Sequence, residues 1–241
     1  MGLIHHLFKT ARANLRHWWR HPAQALAVPG HEEDMWVPIV SLDERHRPKI
    51  LAHLLGLNRE DRYLRFGYAA TDEQIERYVQ GMDFKRDHIY AIFNVALRIE
   101  ALAHLSIERQ AQGEPRAEFG VSVRHKVRGK GLGKRLFERA MVHARHENVS
   151  IFYIHALSEN VPMLAIAKHH GAVLERDGGE TQAHLRLPAP DLESELEDWM
   201  VDQYGRINYS VKEQVKQFVD TVAQVQEIRD GVRKGRHQSA S

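Results

Sequence analysis

Apolar positions along the chain recur at two periods, and the changes between them outline the elements. Ile4, Leu7, Phe8, Ala11, Leu15, Trp18 and Trp19 recur at helical spacing with basic residues between them, which predicts an amphipathic helix over 2–21 that Pro22 ends. A short strand is expected at 35–41, then helices near 43–56 and 58–66, the second with Asn58 as its N-cap. Thr71 and Gln74 carry the capping-box pattern for a third helix that ends near Gly81. The period then drops to two. Ile89, Ala91 and Phe93 alternate, as do Leu102, His104 and Ser106, so 88–96 and 99–107 read as a β-hairpin.

Residues 117–123 form the next expected strand, and 131–145 a helix with Leu132, Leu136, Ala140, Met141 and Ala144 on one face. A strand at 150–156, a helix from Asn160 to His170 and a strand pair at 172–176 and 182–187 complete the pattern. The order βααα, βββ, αβαββ predicts an α/β domain with a mixed sheet. Pro188 and Pro190 mark its end, giving three parts: 1–34, 35–188 and 189–241. In the last part an acidic helix is expected near 192–203. Ser210 and Glu213 suggest a capping box that opens a second helix to about Arg229. Val211, Val215, Phe218, Val222 and Val225 repeat at steps of four and three, a coiled-coil-like seam. It suits packing back on the domain or pairing with another chain; a homodimer through the terminal helices is one expectation.

Composition narrows the class. At 43% hydrophobic and 27% charged residues, the chain has the make-up of a soluble globular protein. No apolar run reaches the ~20 residues of a membrane span. The apolar residues of the amino-terminal stretch are too interrupted for a secretory signal. There is no cysteine, which excludes disulfides, thiolate metal sites and a Cys nucleophile. A cytoplasmic location is the expectation. The net charge of +2 hides a basic stretch over Arg124–His146 and an acidic block from Asp191 to Asp202. Scattered charges on helices read as solvated faces, so no nucleic-acid partner is expected. The basic helix at 2–21 could rest on an anionic membrane surface, but packing on the domain or on a second copy is favoured. The adjacent histidine pairs point to different helix faces, and His17 with His21 lacks a third ligand, so no metal is expected.

The most informative stretch is Arg128-Gly129-Lys130-Gly131-Leu132-Gly133, between a strand and a helix. Glycine permits positive φ and close approach of a ligand. The first N–H groups of the helix point into the loop and, with the helix dipole, form an anion site. Arg128, Lys130 and Lys134 add positive charge suited to a pyrophosphate. The dinucleotide and Walker patterns both need other spacings.

Arg128-x-x-Gly131-x-Gly133 resembles the Arg/Gln-x-x-Gly-x-Gly/Ala signature of the GNAT N-acetyltransferases. AEFGVSV at 117–123 resembles that family's central strand. LSENVPMLAIAKHHGA at 157–172 resembles its next strand end and helix, and RYLRF at 62–66 an element of its first helical region. The resemblance spans about 35–188 and is nearest to the Pat-type protein acetyltransferase branch. It implies a mixed, mostly antiparallel central sheet flanked by helices, with the terminal helices as additions. It further implies that 128–134 hold the pyrophosphate of acetyl-CoA, that Val121 and Val123 pair with the pantetheine arm, and that Asn160 touches that arm. For Asn160, capping its own helix is an equal reading. Many members carry a helix Tyr that protonates the departing thiolate; here that position is Ala167.

The chemistry implied is transfer of an acetyl group to a primary amine, on a protein lysine or a small molecule, by direct attack. A lysine-like amine with pKa ~10.4 must lose a proton first, which calls for a base. Glu118 is the candidate. Alternation sets it with Gly120 and Ser122 on one strand face, and the resemblance matches it to the base position of Pat-type enzymes. A solvated strand-end Glu, or one paired with Arg116 or Arg98, is the competing reading. The competing function is a non-catalytic acyl-CoA-binding module whose terminal helices dock partners.

Overall fold

A computed structural model of the chain describes residues 37–109, 113–189, 203, 205–214 and 216–217. The chain divides into two units, Met1–Val37 and Pro38–Ser241. All described residues except Val37 belong to the second. The expected helices at 2–21 and 192–203, and the end of the helix running to Arg229, lie outside the described residues.

Seven strands form one sheet in the order β1-β2-β3-β4-β5-β7-β6. They are β1 (Val40–Leu42), β2 (Asp87–Phe93), β3 (Ile99–Glu108), β4 (Arg116–Val123), β5 (Ile151–Leu157), β6 (Val173–Asp177) and β7 (Glu180–Arg186). Every neighbouring pair is antiparallel except β4 with β5. Between β1 and β7 five α-helices accompany them: α1 (Arg47–Leu55), α2 (Arg59–Phe66), α3 (Asp72–Gln80), α4 (Leu132–His146) and α5 (Val161–His169). This is the mixed, mostly antiparallel α/β architecture expected, with the expected element order.

The local signals act as their chemistry dictates. The Asn58 side chain accepts from the Asp61 N–H, and Thr71 with Gln74 forms a full capping box at α3. The first strand is shorter than expected. Asp43 caps a 3-10 turn at Glu44–His46, and this turn leads directly into α1. Ser210 departs from expectation. The backbone is already helical from 205, so Ser210 lies inside the helix and its hydroxyl donates to the Ile207 carbonyl. Packing explains the earlier start. Tyr209 stacks edge-on against His46, lies against Phe93 and meets the Lys49 ammonium at 2.7 Å. Residues 205–214 therefore pack back on the domain.

The sheet carries a core on each face. On one, Ile89, Ala91, Phe93 and Leu102 meet Ile50 and Leu54 of α1 and Ile75 and Val79 of α3. On the other, Phe119, Phe137 of α4 and Phe152 form a buried aromatic triangle with centroids 5.2–5.6 Å apart. Each ring removes a large apolar area from water, and edge-to-face pairing adds a further ~0.5–1.5 kcal/mol per pair. Among the described residues no helix is long and apolar enough to cross a membrane.

Two histidines are held neutral by burial, His53 fully buried and His143 partly so. Burial pushes His53 down to about 4, against a hydrogen bond to the Ile99 carbonyl that favours its charged form. Burial likewise pushes His143 down to about 3, with His88, Arg139 and His146 adding in the same direction. The unfolded chain takes up these protons below about pH 6.5, while the native chain resists them until its lower pKa values. Stability is thus full above that pH and falls as pH drops toward 4. We expect the urea midpoint to fall between about pH 7 and about pH 4.5, with a shallower fall in His53→Gln. A midpoint that stays flat across this window in the wild type would contradict the buried-neutral assignment.

Candidate active site

The sheet opens at its one parallel pair. β4 and β5 are in register only at Arg116↔Ile151, Ala117↔Phe152 and Glu118↔Tyr153. Beyond that they diverge, although β4 stays paired to β3 as far as Val123 and β5 to β7 throughout. Phe119 to Val123 therefore turn one edge of polar backbone toward the gap. An extended ligand can pair with such an edge as an added strand. A cleft of about 570 Å³ occupies this region, lined by Gly120 and Val121 of β4, Ile154 and Ala156 of β5, and by α2 and Asn160.

The glycine loop lies at the open end of the gap, since β4 leads through a 3-10 turn at His125–Val127 to the start of α4. Gly129 and Gly131 have φ of 76° and 73°, which only glycine adopts without strain. A Cβ at either would meet nothing within 4 Å, so the outer side of the loop is open. Gly131 is the N-cap of α4 and offers no side-chain cap. The first intrahelical bond runs from the Arg135 N–H to the Gly131 carbonyl. The N–H groups of Leu132, Gly133 and Lys134 precede it and have no acceptor within the helix, as a bound anion requires. The Leu132 side chain is buried and contributes to the core. Gly133 is different: a Cβ there would make ordinary contacts with Ile166 and Val123 at 3.6 and 3.7 Å.

The three loop cations are not equivalent. Arg128 pairs with the buried carboxylate of Asp61 on α2, and its Nε donates to the Val123 carbonyl at 3.3 Å. This ties the loop to α2 and neutralises much of the charge expected there. Lys134 lies 3.7 Å from Glu138 one helical turn on, and Lys130 is exposed. Asn160 takes the capping alternative: its Oδ1 accepts from the Met163 N–H, and its Nδ2 donates to the Leu64 carbonyl, both at 3.4 Å. It still lines the cleft. Val121 and Val123 are half-buried at the cleft edge.

Glu118 stands at the apex, where β4 and β5 part. It is exposed and lines both this cleft and a second cavity of about 670 Å³ on its far side. That cavity is polar, with Arg86, Glu108, Arg109, Arg116 and Tyr153 among its walls. The competing pairing of Glu118 with Arg116 or Arg98 is not formed; Arg116 instead stacks on the Tyr153 ring. Ser122, on the same face, is buried and bonded to His53 Nε2 at 2.9 Å.

A polar chain unforeseen in the sequence reaches the cleft beside Glu118. Asp87 accepts from the Ser106 hydroxyl at 2.9 Å and faces His104 Nε2 at 3.6 Å. His104 Nδ1 meets the Tyr78 hydroxyl at 2.5 Å, and Tyr78 accepts from Arg65 at 2.7 Å. Burial pushes the Asp87 carboxyl up, but hydrogen bonds led by His104 outweigh it and hold it well below the usual range. Burial raises the Tyr78 phenol, keeping its proton in place. The Arg65 guanidinium lies over Gly120, where a Cβ would come within 2.6 Å of its central carbon. Only the alternation of His104 and Ser106 on β3 hinted at this chain.

One group among the described residues could approach a metal: His88, His143 and Glu147 have donor atoms within 4.8 Å of one another. His143 and Glu147 share helical i, i+4 spacing, a pairing that the positions of the histidines alone do not reveal. Arg109 already holds Glu147.

Residues 39–173 match the acetyltransferase (GNAT) domain family. The chain belongs to the GNAT acetyltransferase family, whose enzymes move an acetyl group to an amine. Two solved structures, the first two of the three below, agree at the level of fold. The GNAT domain of the S. lividans PAT is 18% identical, with a TM-score of 0.53 over 62% of this chain and 89% of that one. A GNAT-family acetyltransferase from Streptococcus pneumoniae is 13% identical, with a TM-score of 0.50 over 63% and 100%. An acetyltransferase from Salmonella typhimurium, solved with its cofactor acetyl-CoA, is 16% identical with a TM-score of 0.49 over 65% and 99%.

Gly120 gives a direct test of the cleft floor. Gly120→Ala fits the backbone but must displace the Arg65 guanidinium. Small misplacements near reacting groups cost up to ~10²-fold in rate. Acetyl transfer should fall by roughly that factor with the melting temperature nearly unchanged. Wild-type turnover in Gly120→Ala would show that the floor tolerates a side chain.

Proposed function

We propose that the chain is an acetyl-CoA-dependent N-acetyltransferase that acts on a primary amine, of a protein lysine or a small molecule, by direct attack. The observation that carries this reading is Glu118 at the point where β4 and β5 part, open to a cavity on either side. Acetyl-CoA, when bound, supplies an acetyl group already activated as a thioester. The N–H groups of Leu132, Gly133 and Lys134 hold its pyrophosphate, with Lys130 and Lys134 adding charge. The conformations of Gly129 and Gly131 set this cradle, and Arg128 anchors it to α2 through Asp61. The β4 edge at Val121 and Val123 pairs with the pantetheine arm and directs the thioester toward the apex. Asn160 keeps its helix start in place beside that arm.

The acceptor amine approaches from the second cavity and meets Glu118. The Glu118 carboxylate accepts a proton from the amine, directly or through water, and leaves the nitrogen lone pair free to attack. A backbone N–H on the β4 edge polarises the thioester carbonyl. With no cysteine in the chain, no thiol is present to carry the acetyl group. The second reading, a non-catalytic acyl-CoA-binding module, is favoured by one observation: Ala167 is fully buried and presents no hydroxyl to a leaving thiolate.

Glu118→Gln separates the two. It keeps the shape of the side chain but cannot take a proton, and loss of a general base typically costs ~10²–10⁴ in rate. We expect kcat to fall in that range at neutral pH, with affinity for acetyl-CoA and melting temperature little changed. The deficit should narrow at high pH, where more acceptor is already neutral. Unchanged kcat at neutral pH would remove Glu118 from the mechanism and favour the module.

A further inference from the structure

We propose that Arg65 is a catalytic residue that stabilises the departing thiolate of CoA, and that Tyr78, His104 and Asp87 position it. The proposal rests on the reading that acetyl-CoA occupies the β4–β5 cleft with its thioester at the apex. Its chemistry fills a specific gap. When the amine attacks, a carbon–nitrogen bond forms, the carbon–sulfur bond breaks and the electron pair goes to sulfur. The amine proton goes to Glu118, and the thiolate later takes a proton from solvent. Ala167 is buried in the core, so that helix has no hydroxyl to offer the sulfur. Some other group must meet the charge.

Arg65 meets the requirement by charge and by place. The cleft is lined by three acids, Glu118, Asp177 and Glu180, together with Tyr78 and His155. Arg65 is the one Lys or Arg among its described lining residues. The acids alone would disfavour a thiolate. The guanidinium lies over Gly120, two residues from Glu118 on the same strand face. On the cleft reading the departing sulfur lies between the acetyl carbon at Glu118 and the glycine loop, on this side of Glu118. Among the described residues no carboxylate lies within ion-pair distance of Arg65, so its charge is not already neutralised. Its position is fixed by the 2.7 Å bond to Tyr78 and by its packing over the Tyr78 and Phe66 rings, at 5.5 and 5.1 Å. Tyr78 is held in turn by His104, and His104 faces buried Asp87 across the sheet. A fixed cation beside a developing negative charge needs no reorganisation at the moment of reaction.

The test reads the thiol itself. CoA bound to the 241-residue chain is titrated by the ultraviolet absorbance of its thiolate, against the same protein with desulfo-CoA. A free thiol has a pKa near ~8.5, judged by cysteine, and an adjacent cation lowers it by about one unit or more. We expect the bound thiol to titrate below free CoA in the wild type, and to return toward the free value in Arg65→Gln. Arg65→Lys should retain part of the depression. Tyr78→Phe, which keeps the cation but frees it, should lose most of it and so provides a second variant if Arg65→Gln folds poorly. In turnover, Arg65→Gln should lower kcat by ~10–10²-fold with little change in KM for acetyl-CoA. CoA bound with the same thiol pKa in wild type and Arg65→Gln overturns the role of Arg65 and leaves the cleft reading standing. Failure of the wild type to bind CoA overturns the cleft reading, and this proposal with it.

Discussion

The parting of β4 from β5 is the constraint on which the rest depends. Two parallel strands that remained in register would satisfy each other's backbone groups and close the sheet. Here the ladder ends at Glu118↔Tyr153, while each strand keeps its partner on the outer side. Exposed backbone polarity beside an apolar core is costly unless something pairs with it. On the proposed reading the gap is a binding edge, held open by well-packed sheet on both sides. The aromatic triangle of Phe119, Phe137 and Phe152 lies across the parting and joins the two halves from beneath. On the opposite face the core under α1 and α3 packs β2 and β3, and Glu118 and Gly120 of β4 line the cleft beside it.

The same geometry orders charge along the cleft. At its open end the helix start and Lys130 present positive potential on an open loop. At the apex Glu118 faces the second cavity, and Arg65 lies one alternate position further along the strand face. The strand positions beneath the carboxylate and the cation, Glu118 and Gly120, are thus two residues apart, or about 7 Å along the strand. This matches a reaction that removes a proton from one partner and delivers an electron pair to the other. The Arg128–Asp61 pair links the loop at one end to α2, which also carries Arg65. Breaking that pair would strand a buried carboxylate, so α2 couples the glycine loop and the apex mechanically.

Much of this was legible in the sequence where local chemistry decides. Thr71 with Gln74, the alternation along 88–107 and the apolar face of 131–145 each specify their element within a few residues of chain. The glycine loop was legible because φ above zero and open backbone N–H groups demand glycine. What escaped was long-range. Arg65, Tyr78, His104 and Asp87 come from four elements, and no period in the chain pairs them. Arg128 looked like a ligand cation because its partner, Asp61, lies 67 positions away. Ser210 looked like a helix start because capping residues also serve inside helices by bonding back to a carbonyl, and Tyr209 packing decided between the two.

The central claim is that CoA binds along the gap with its pyrophosphate on the start of α4. Calorimetric titration of the 241-residue chain with CoA, in wild type and Gly131→Glu, tests it most directly. The variant adds bulk and negative charge on the open side of the loop, at a position whose φ costs a side chain ~1–2 kcal/mol. Binding should be clear in the wild type and lost in a variant that remains folded by circular dichroism. Equal affinity in the two proteins would contradict the account.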